Sequence, residues 1–312
     1  MLVCINQHSE KINNIRGDYM LAVEKQYKQR NRFRNYWSLI KSLQTGLLLF
    51  TAIAGYTSVQ CPVGAASQII PMSISMFLAI AGSTVLNMVW DRDIDSRMLR
   101  TAHRPLATGA IRVGHALSFG IIISVVGLAM ALWLDPLYAL IVTGGLFIDV
   151  VIYTMWLKRR TPWSIVWGGV SGGMPILAGR VLAVGHIDAL GILFLFSILL
   201  WIPTHILTFN IKNFDDYRRA GIPTFADRYG FRATRWIIAI SSVGATLAIA
   251  LGLYSLGLSW GYLRLLGFLS MGLLTLAAYI LIRPSEKHDF YLFKYASLYM
   301  MGAMAIISSA AF

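Results

Sequence analysis

The chain has 312 residues, of which 57% are hydrophobic and only 13% are charged, and its formal net charge is +13. Soluble domains carry about 25% charged residues, so this composition excludes a soluble globular protein and predicts an integral membrane protein. In such proteins an excess of Lys and Arg is typical of cytoplasmic loops. The charge therefore predicts the lipid bilayer, and not nucleic acid, as a partner.

The two cysteines, Cys4 and Cys61, form no recognisable metal or redox motif. The absence of any CxxC pair from the sequence excludes the usual zinc, redox and c-type haem signatures. The two residues flank the first predicted span, one on each side of the membrane, so we expect no disulfide between them.

Residues 1–35 are polar and basic, and they lack the apolar core of a signal peptide. We expect them to form a cytoplasmic arm before one membrane domain, residues 36–312. A spanning helix needs about 20 mostly apolar residues. Nine stretches qualify: 37–57, 67–90, 112–133, 136–156, 163–183, 189–210, 236–257, 260–282 and 290–312. The sequence therefore predicts an all-α, polytopic membrane protein with nine transmembrane helices.

The loops between these spans differ in charge. The N-terminal arm and the even-numbered loops, counted with the span residues next to them, hold 25 of the 27 Lys and Arg residues, and only Arg180 and Arg264 lie near the other face. Since basic loops remain on the cytoplasmic side, we expect a multi-pass protein of the cell membrane with its N-terminus in the cytoplasm and its C-terminus outside.

A polar stripe lies at the end of the second predicted span. Asn87, Asp91 and Asp95 stand at positions i, i+4 and i+8, which share one face of a helix, whereas Asp93 points about 200° away from Asp91. Carboxylate and amide oxygens suit Mg²⁺, which completes its shell with water and substrate phosphate. Four bases follow the stripe and favour a diphosphate bridged to the metal: Arg100, Arg104, Lys158 and Arg159.

A second polar cluster occurs where the sixth predicted span ends. It includes Lys212, Asp215 and Asp216, and facing the first cluster it would form a cytoplasmic cap over a central cavity. The alternative is that acids in basic loops form only solvated ion pairs, which contribute about 0–1 kcal/mol each. That alternative stays open for Asp93, Asp216, Arg218 and Arg219.

Three segments carry a family resemblance. The pattern N-x-x-x-D-x-x-x-D at 87–95 resembles the first metal motif of the intramembrane prenyltransferase (UbiA) superfamily, and the second cluster stands where its second acidic motif belongs. Residues 87–111, 153–179 and 203–223 resemble its protohaem IX farnesyltransferase (haem O synthase) branch. The second motif is abbreviated here, with Lys212 where a carboxylate is common, so Lys212 is expected to hold phosphate.

The resemblance implies Mg²⁺ as cofactor, farnesyl diphosphate as donor and a vinyl group of protohaem IX (haem B) as acceptor. It implies metal ligands among Asn87, Asp91, Asp95, Asp215 and Asp216, and diphosphate contacts from Arg100, Arg104, Lys158, Arg159 and Lys212. An allylic carbocation would then form in an apolar cavity, where aromatic faces stabilise cations by up to about 2 kcal/mol. Tyr153 and Trp156 are candidates, with ordinary packing as the alternative.

Ionisable residues inside predicted spans are functional candidates, and His205 and Asp149 are two of them. His205 is expected to ligate haem iron, to orient a propionate or to position water, or else to be neutral and bonded to a carbonyl. Asp149 lies midway along the fourth span. It either faces the cavity or is neutral and bonded to a helix neighbour.

Two other functions compete with haem farnesylation. One is prenylation of an aromatic, quinone-precursor or glycerophosphate-lipid acceptor by the same fold. The other is secondary transport, which places charged groups near the bilayer midplane, whereas the acids here cluster at one rim. A haem A synthase or an oxidase-assembly protein is an expected partner if haem is the acceptor.

Overall fold

The computed structural model describes residues 33–59 and 66–309. Residues 1–32 of the predicted arm, which include Cys4, lie outside these ranges, as does Cys61. Within the described ranges the chain is helical and contains no strand.

The helices follow the predicted spans in order. They are α1 Phe33–Leu39, α2 Ser42–Thr57, α3 Ile69–Arg97, α4 Val113–Leu134, α5 Pro136–Leu157, α6 Ser164–Val184, α7 Ala189–Lys212, α8 Phe214–Arg219, α9 Phe225–Ser255, α10 Trp260–Ile282 and α11 Glu286–Ser308. A single 3₁₀ turn, Ala66–Gln68, precedes α3. From Ile148 to Leu157, α5 is a π-helix.

Eight of these helices are long and apolar enough to cross a membrane, and α1 with α2 gives a ninth if the bent pair is one span. This confirms the predicted all-α membrane fold. The first predicted span, 37–57, is not straight, because α1 and α2 meet at 47°. Lys41 lies at the bend with φ 48° and ψ 57°, the left-handed region that non-glycine residues rarely adopt.

Two helices extend well beyond their predicted apolar limits. Helix α3 continues from residue 90 to Arg97, so the polar stripe is helical as the spacing predicted. Helix α9 begins at Phe225 and not at 236, and Gly230 interrupts it with φ 81°. Hydropathy marks the membrane-embedded part of a helix, but the backbone hydrogen bonds continue into polar sequence.

The helices surround a central space. Helix α2 packs against α3, α6 and α11, while α6 packs against α5 and α7, and α7 packs against α11. Helices α4, α9 and α10 pack outside this ring, mainly against α3, α7 and α11. The loops after α3, α5 and α7 lie at the same end of the bundle, which we call the charged end.

Small residues let α6 approach two of its neighbours, α2 and α7, closely. A Cβ atom on Gly55 of α2 would lie 2.0 Å from a carbonyl oxygen of α6, and one on Gly179 of α6 would lie 1.9 Å from a carbonyl oxygen of α2. Towards α7, a Cβ atom on Gly169 or Gly173 would lie 2.6 or 2.9 Å from the nearest α7 atom. These helices therefore pack nearly backbone to backbone and hold the cavity walls in fixed register.

Candidate active site

A cavity of about 370 Å³ lies inside the ring of helices, between α2, α3, α5, α6, α7 and α11. Its wall is charged towards one end, where it includes Lys41, Asn87, Asp91 and Lys158. The rest of the wall is mostly apolar and includes Met76, Ile198, Met300 and Met304. This is the polarity that an amphiphilic substrate with an anionic head and a hydrocarbon tail requires.

The predicted stripe on α3 is present, and each of its members has a different partner. Asp91 forms an ion pair with Lys158, and both carboxylate oxygens of Asp95 accept from Arg104 at 2.7 and 2.9 Å. Only 6% of Asp91 and 5% of Asp95 is exposed. The two carboxylates are therefore buried beside the bases that the sequence assigned to diphosphate.

Two oxygens of the stripe are left over. The side-chain oxygen of Asn87 and Oδ1 of Asp91 are buried and have no hydrogen-bond partner within the described residues. An unsatisfied buried polar atom lowers the stability of the fold by about 1–3 kcal/mol, so two neighbouring buried oxygens without partners are rare unless a ligand binds them. Amide and carboxylate oxygens one helical turn apart are a donor set that fits Mg²⁺.

The protein alone does not complete a metal shell. In residues 33–59 and 66–309 no group of three or more His, Cys, Asp or Glu side chains is arranged to hold a metal ion. Asp95 is occupied by Arg104, which leaves Asn87 and Asp91 with free oxygens. Since Mg²⁺ is commonly bound by one or two carboxylates and substrate phosphates, the residues present fit a metal that arrives with a diphosphate.

Lys158 pairs with Asp91, which carries one of these two oxygens. Burial disfavours its ammonium form, but the neighbouring Asp91 carboxylate outweighs that effect, so the pKa of Lys158 lies above its ordinary value. Lys158 therefore remains cationic across the physiological pH range and presents a fixed positive charge to the cavity.

The π-helix at the end of α5 brings this lysine to the cavity. In an ideal α-helix Asp149 and Lys158 would point about 180° apart, since nine residues turn through about 900°. The wider π turn closes hydrogen bonds to the fifth residue back, and the Lys158 amide donates to the Tyr153 carbonyl at 2.8 Å. Asp149, Tyr153 and Lys158 consequently line the same cavity.

The aromatic ring of Tyr153 lies beside the charged end. Its centroid is 5.8 Å from Nζ of Lys158. A Cβ atom on Gly168 would lie 3.3 Å from the ring, so the glycine leaves space for it. Trp156, the other aromatic candidate, is 53% exposed on the outside of the bundle.

Two predicted diphosphate contacts lie elsewhere. Arg159 forms a bidentate pair with Asp93 at 2.7 and 2.8 Å, and both side chains are partly exposed. Arg100 lies over the ring of Phe209, 4.9 Å from its centroid. The structure therefore brings Arg104 and Lys158 to the acids of the stripe, but not Arg159.

The second cluster is not joined to the first as a set of metal ligands. Asp216 is buried and accepts hydrogen bonds from the backbone amides of Leu99 and Arg100 at 3.2 and 3.3 Å. Asp215 is exposed. Nζ of Lys212 lies 3.2 Å from the centre of the Phe290 ring. In this arrangement Asp216 holds the loop after α3 in place.

His205 lies deeper in the cavity wall. Its ring is stacked between Trp201 and Phe293, with centroids 4.7 and 4.5 Å away. Its Nδ1 lies 3.2 Å from the hydroxyl of Ser297, which is also 3.1 Å from the Phe293 carbonyl oxygen. If that hydroxyl donates its one proton to the carbonyl, Nδ1 carries the histidine proton and Nε2 keeps a free electron pair.

Sequence reasoning missed one residue of the site. Lys41 was counted only among the positive charges at the start of the first span, yet it lines the charged end of the cavity from the bend between α1 and α2. An isolated lysine in an otherwise apolar span is itself a functional signal. That rule would have identified it.

Comparison with known proteins places this fold and site in a family. The profile of the UbiA prenyltransferase family matches residues 48–298. A protoheme IX farnesyltransferase of Pyrobaculum arsenaticum is 34% identical over 281 residues, 88% of this chain and 99% of the relative. The protein of the same name from Desulforudis audaxviator is 34% identical over 280 residues, 87% and 86% of the two chains.

Solved structures share the architecture. A digeranylgeranylglyceryl phosphate synthase superposes with a TM-score of 0.75 at 18% identity, covering 90% of this chain and 99% of that one. A UbiA homologue from Archaeoglobus fulgidus bound to GPP and Mg²⁺ superposes with a TM-score of 0.65 at 16% identity, covering 88% and 99%. At these identities the likeness shows the fold alone. The profile and the 34% identical relatives show more, and the chain belongs to the UbiA prenyltransferase family, in its protoheme IX farnesyltransferase branch.

Proposed function

We propose that this protein transfers the farnesyl group of farnesyl diphosphate to a vinyl group of protohaem IX and so forms haem O. One structural observation carries the proposal: two buried oxygens without a partner among the described residues and a cationic Lys158 lie at one end of a mostly apolar cavity. The protoheme IX farnesyltransferase relatives supply the identity of the donor and the acceptor.

The charged end is proposed to hold the diphosphate. Asn87 and Asp91 would offer oxygens to Mg²⁺, and Lys158 and Lys41, which line the same end of the cavity, would bind the phosphate oxygens. When bound, Mg²⁺ neutralises the charge that develops on the departing diphosphate. Arg104 holds Asp95 through two hydrogen bonds and keeps this region ordered. The other predicted site residues do not line the cavity and are proposed to act only after movement of the loops: Arg100, Arg159, Lys212, Asp215 and Asp216.

The proposed transfer exchanges a carbon–oxygen bond of the donor for a carbon–carbon bond to the acceptor. The bond between C1 of the farnesyl group and the diphosphate oxygen breaks, and its electron pair leaves with the diphosphate. The π pair of the haem vinyl group forms the new carbon–carbon bond. Water adds to the resulting cation and releases a proton, which gives a hydroxyethylfarnesyl substituent. Tyr153 faces the cavity beside Lys158 and is proposed to present its ring to the allylic cation.

His205 is proposed to contact the haem. With Nδ1 bonded to Ser297, its Nε2 has no partner within the described residues, and neutral imidazole with a free Nε2 is a common iron ligand. The stacked rings of Trp201 and Phe293 hold the imidazole plane in place. Of the three roles predicted for His205, iron ligation agrees best with this tautomer.

The charge distribution supports a topology. The charged end carries the basic loops, so we propose that it faces the cytoplasm, with the N-terminal arm (residues 1–35) inside, residues 36–312 as the membrane domain and the C-terminus outside. The cell membrane would then be the location. A haem A synthase or an oxidase-assembly protein is a proposed partner, since haem O must be passed to a further enzyme.

The test uses purified full-length protein in lipid with Mg²⁺, haem B and farnesyl diphosphate. We expect conversion to a more hydrophobic haem whose mass has increased by one farnesyl and one hydroxyl group. Geranyl and geranylgeranyl diphosphates in parallel reactions define the chain length. If haem stays unchanged while an aromatic or glycerophosphate acceptor is prenylated, haem farnesylation is wrong and another acceptor is correct.

A further inference from the structure

One acid in the cavity has no role in the scheme above. Asp149 lies in the π segment of α5, and its Oδ2 accepts hydrogen bonds from Nδ2 of Asn87 at 2.7 Å and from the hydroxyl of Ser83. No Lys or Arg of the described residues forms an ion pair with it. An acid inside a membrane span is costly without partners, and here its two partners are neutral donors on α3.

The contact with Asn87 decides which way the amide faces. The two ends of an asparagine amide have almost the same shape, but one donates and the other accepts. Oδ2 of Asp149 is an acceptor in both of its hydrogen bonds, so the end of the Asn87 amide that faces it is Nδ2. The Asn87 oxygen is therefore turned away from Asp149, and there it is buried without a partner among the described residues.

The alternative orientation would defeat a metal site. If the amide were reversed, Asn87 would present two N–H donors, whose partial positive charge repels a cation. With the observed orientation, the oxygen of Asn87 and the free Oδ1 of Asp91 lie on the same face of α3, one turn apart. Both oxygens can coordinate a metal ion, and within the described part of the chain both lack a hydrogen-bond partner.

We propose that Asp149 is a positioning residue: it holds Asn87 by Nδ2 so that the side-chain oxygen of Asn87 is presented, with Asp91, to the divalent metal of a metal–diphosphate complex. The inference rests on the proposed function for the presence of that complex. The Ser83 hydroxyl donates a second hydrogen bond to the same Asp149 oxygen.

A swap of the two side chains separates positioning from simple packing. In N87D two carboxylates meet and repel, and the metal site is disturbed. In N87D/D149N the hydrogen bond returns with donor and acceptor exchanged: the new amide at position 149 donates to the new carboxylate at position 87, whose second oxygen is free for the metal. The single variant D149N keeps an acceptor for Nδ2, whereas D149L removes it. S83A is the matched control, because it leaves the contact between Asn87 and Asp149 intact.

The measurement is binding of Mn²⁺ in the presence of inorganic diphosphate, followed by the loss of the free Mn²⁺ signal in electron paramagnetic resonance. We expect D149L to weaken Mn²⁺ binding by about 10- to 100-fold, the usual effect of removing the group that orients a metal ligand. D149N and S83A should bind within a few-fold of the unaltered protein. N87D should bind weakly, and N87D/D149N should recover most of the loss.

Wild-type binding by D149L, or no recovery in a folded N87D/D149N protein, would overturn the positioning role. Thermal unfolding in detergent identifies any variant that has failed to fold. Comparison of the near-isosteric variants N87D and N87D/D149N then decides whether Asp149 positions Asn87. The readout needs no haem. A protein that binds Mn²⁺ as expected but does not prenylate haem would contradict only the proposed acceptor.

Discussion

The two ends of the bundle use their carboxylates differently. At the end opposite the charged end, Asp188 has both oxygens bonded: Arg180 donates to them at 2.6 to 3.0 Å and the Gly191 amide donates at 2.8 Å. At the charged end, Asp91 is bonded through one oxygen only, and the other is buried and has no partner among the described residues. One carboxylate is saturated by the protein, and the other is left open.

The difference indicates what each acid is for. Burial disfavours the ionised form of Asp188, but the hydrogen bonds from Arg180 and Gly191 outweigh it and hold the pKa of Asp188 below its ordinary value. Its bonds also cap α7 and connect that helix to α6. Among the described residues only one oxygen of Asp91 has a partner, so the other oxygen can bind a ligand. A buried carboxylate with a spare lone pair is a better indicator of a site than a buried ion pair alone.

The largest expected effect comes from D91N, which removes the charge but keeps the size of the side chain. The loss of a group that holds the metal–diphosphate complex should lower kcat by about 10²- to 10³-fold. Product formation in lipid measures the rate, and thermal unfolding checks the fold. The matched control is D188N, which should lower stability while its folded fraction keeps normal activity. Equal rates for D91N and unaltered protein would remove Asp91 from the site.

A second carboxylate tests the structural side of the comparison. Asp289 is fully buried on α11 and accepts from Arg235 of α9 through both oxygens, at 2.7 to 3.2 Å. The variant D289L leaves the arginine buried without a partner, which should cost about 3–5 kcal/mol of unfolding free energy. Chemical unfolding in detergent measures it. Unchanged stability, or a fall in kcat of the folded fraction, would mean that this pair is not purely structural.

The sequence predicted the spans and the stripe because both depend only on residues that are close together in the chain. Apolar length identifies a spanning helix, and four-residue spacing puts Asn87 and Asp91 on one face. It could not predict the π-helix, because nothing in the apolar pattern of residues 148–157 distinguishes bonding to the fourth residue back from bonding to the fifth. The shared cavity face of Asp149 and Lys158 follows from that turn.

Tertiary contacts also determine what the acids of the second cluster bind. The sequence offered Asp216 as a metal ligand, but two backbone amides of the loop after α3, 116 and 117 residues away in the chain, take up its oxygens. No local pattern shows that a distant loop will present free N–H groups. Lys41 is the opposite case: its place in an apolar span was visible, and only the bend that turns it to the cavity was not.

The smallest expected effect concerns two neighbouring bases. Lys158 is paired with a buried acid and lines the cavity, whereas Arg159 is paired with Asp93 on the partly exposed rim. Arg159 does not line the cavity, so R159Q should change kcat/KM by less than about fivefold, the ratio that about 1 kcal/mol represents. K158M, the matched variant, should lower it far more. A loss in R159Q as large as that in K158M would show that Arg159 leaves Asp93 to bind the diphosphate during turnover.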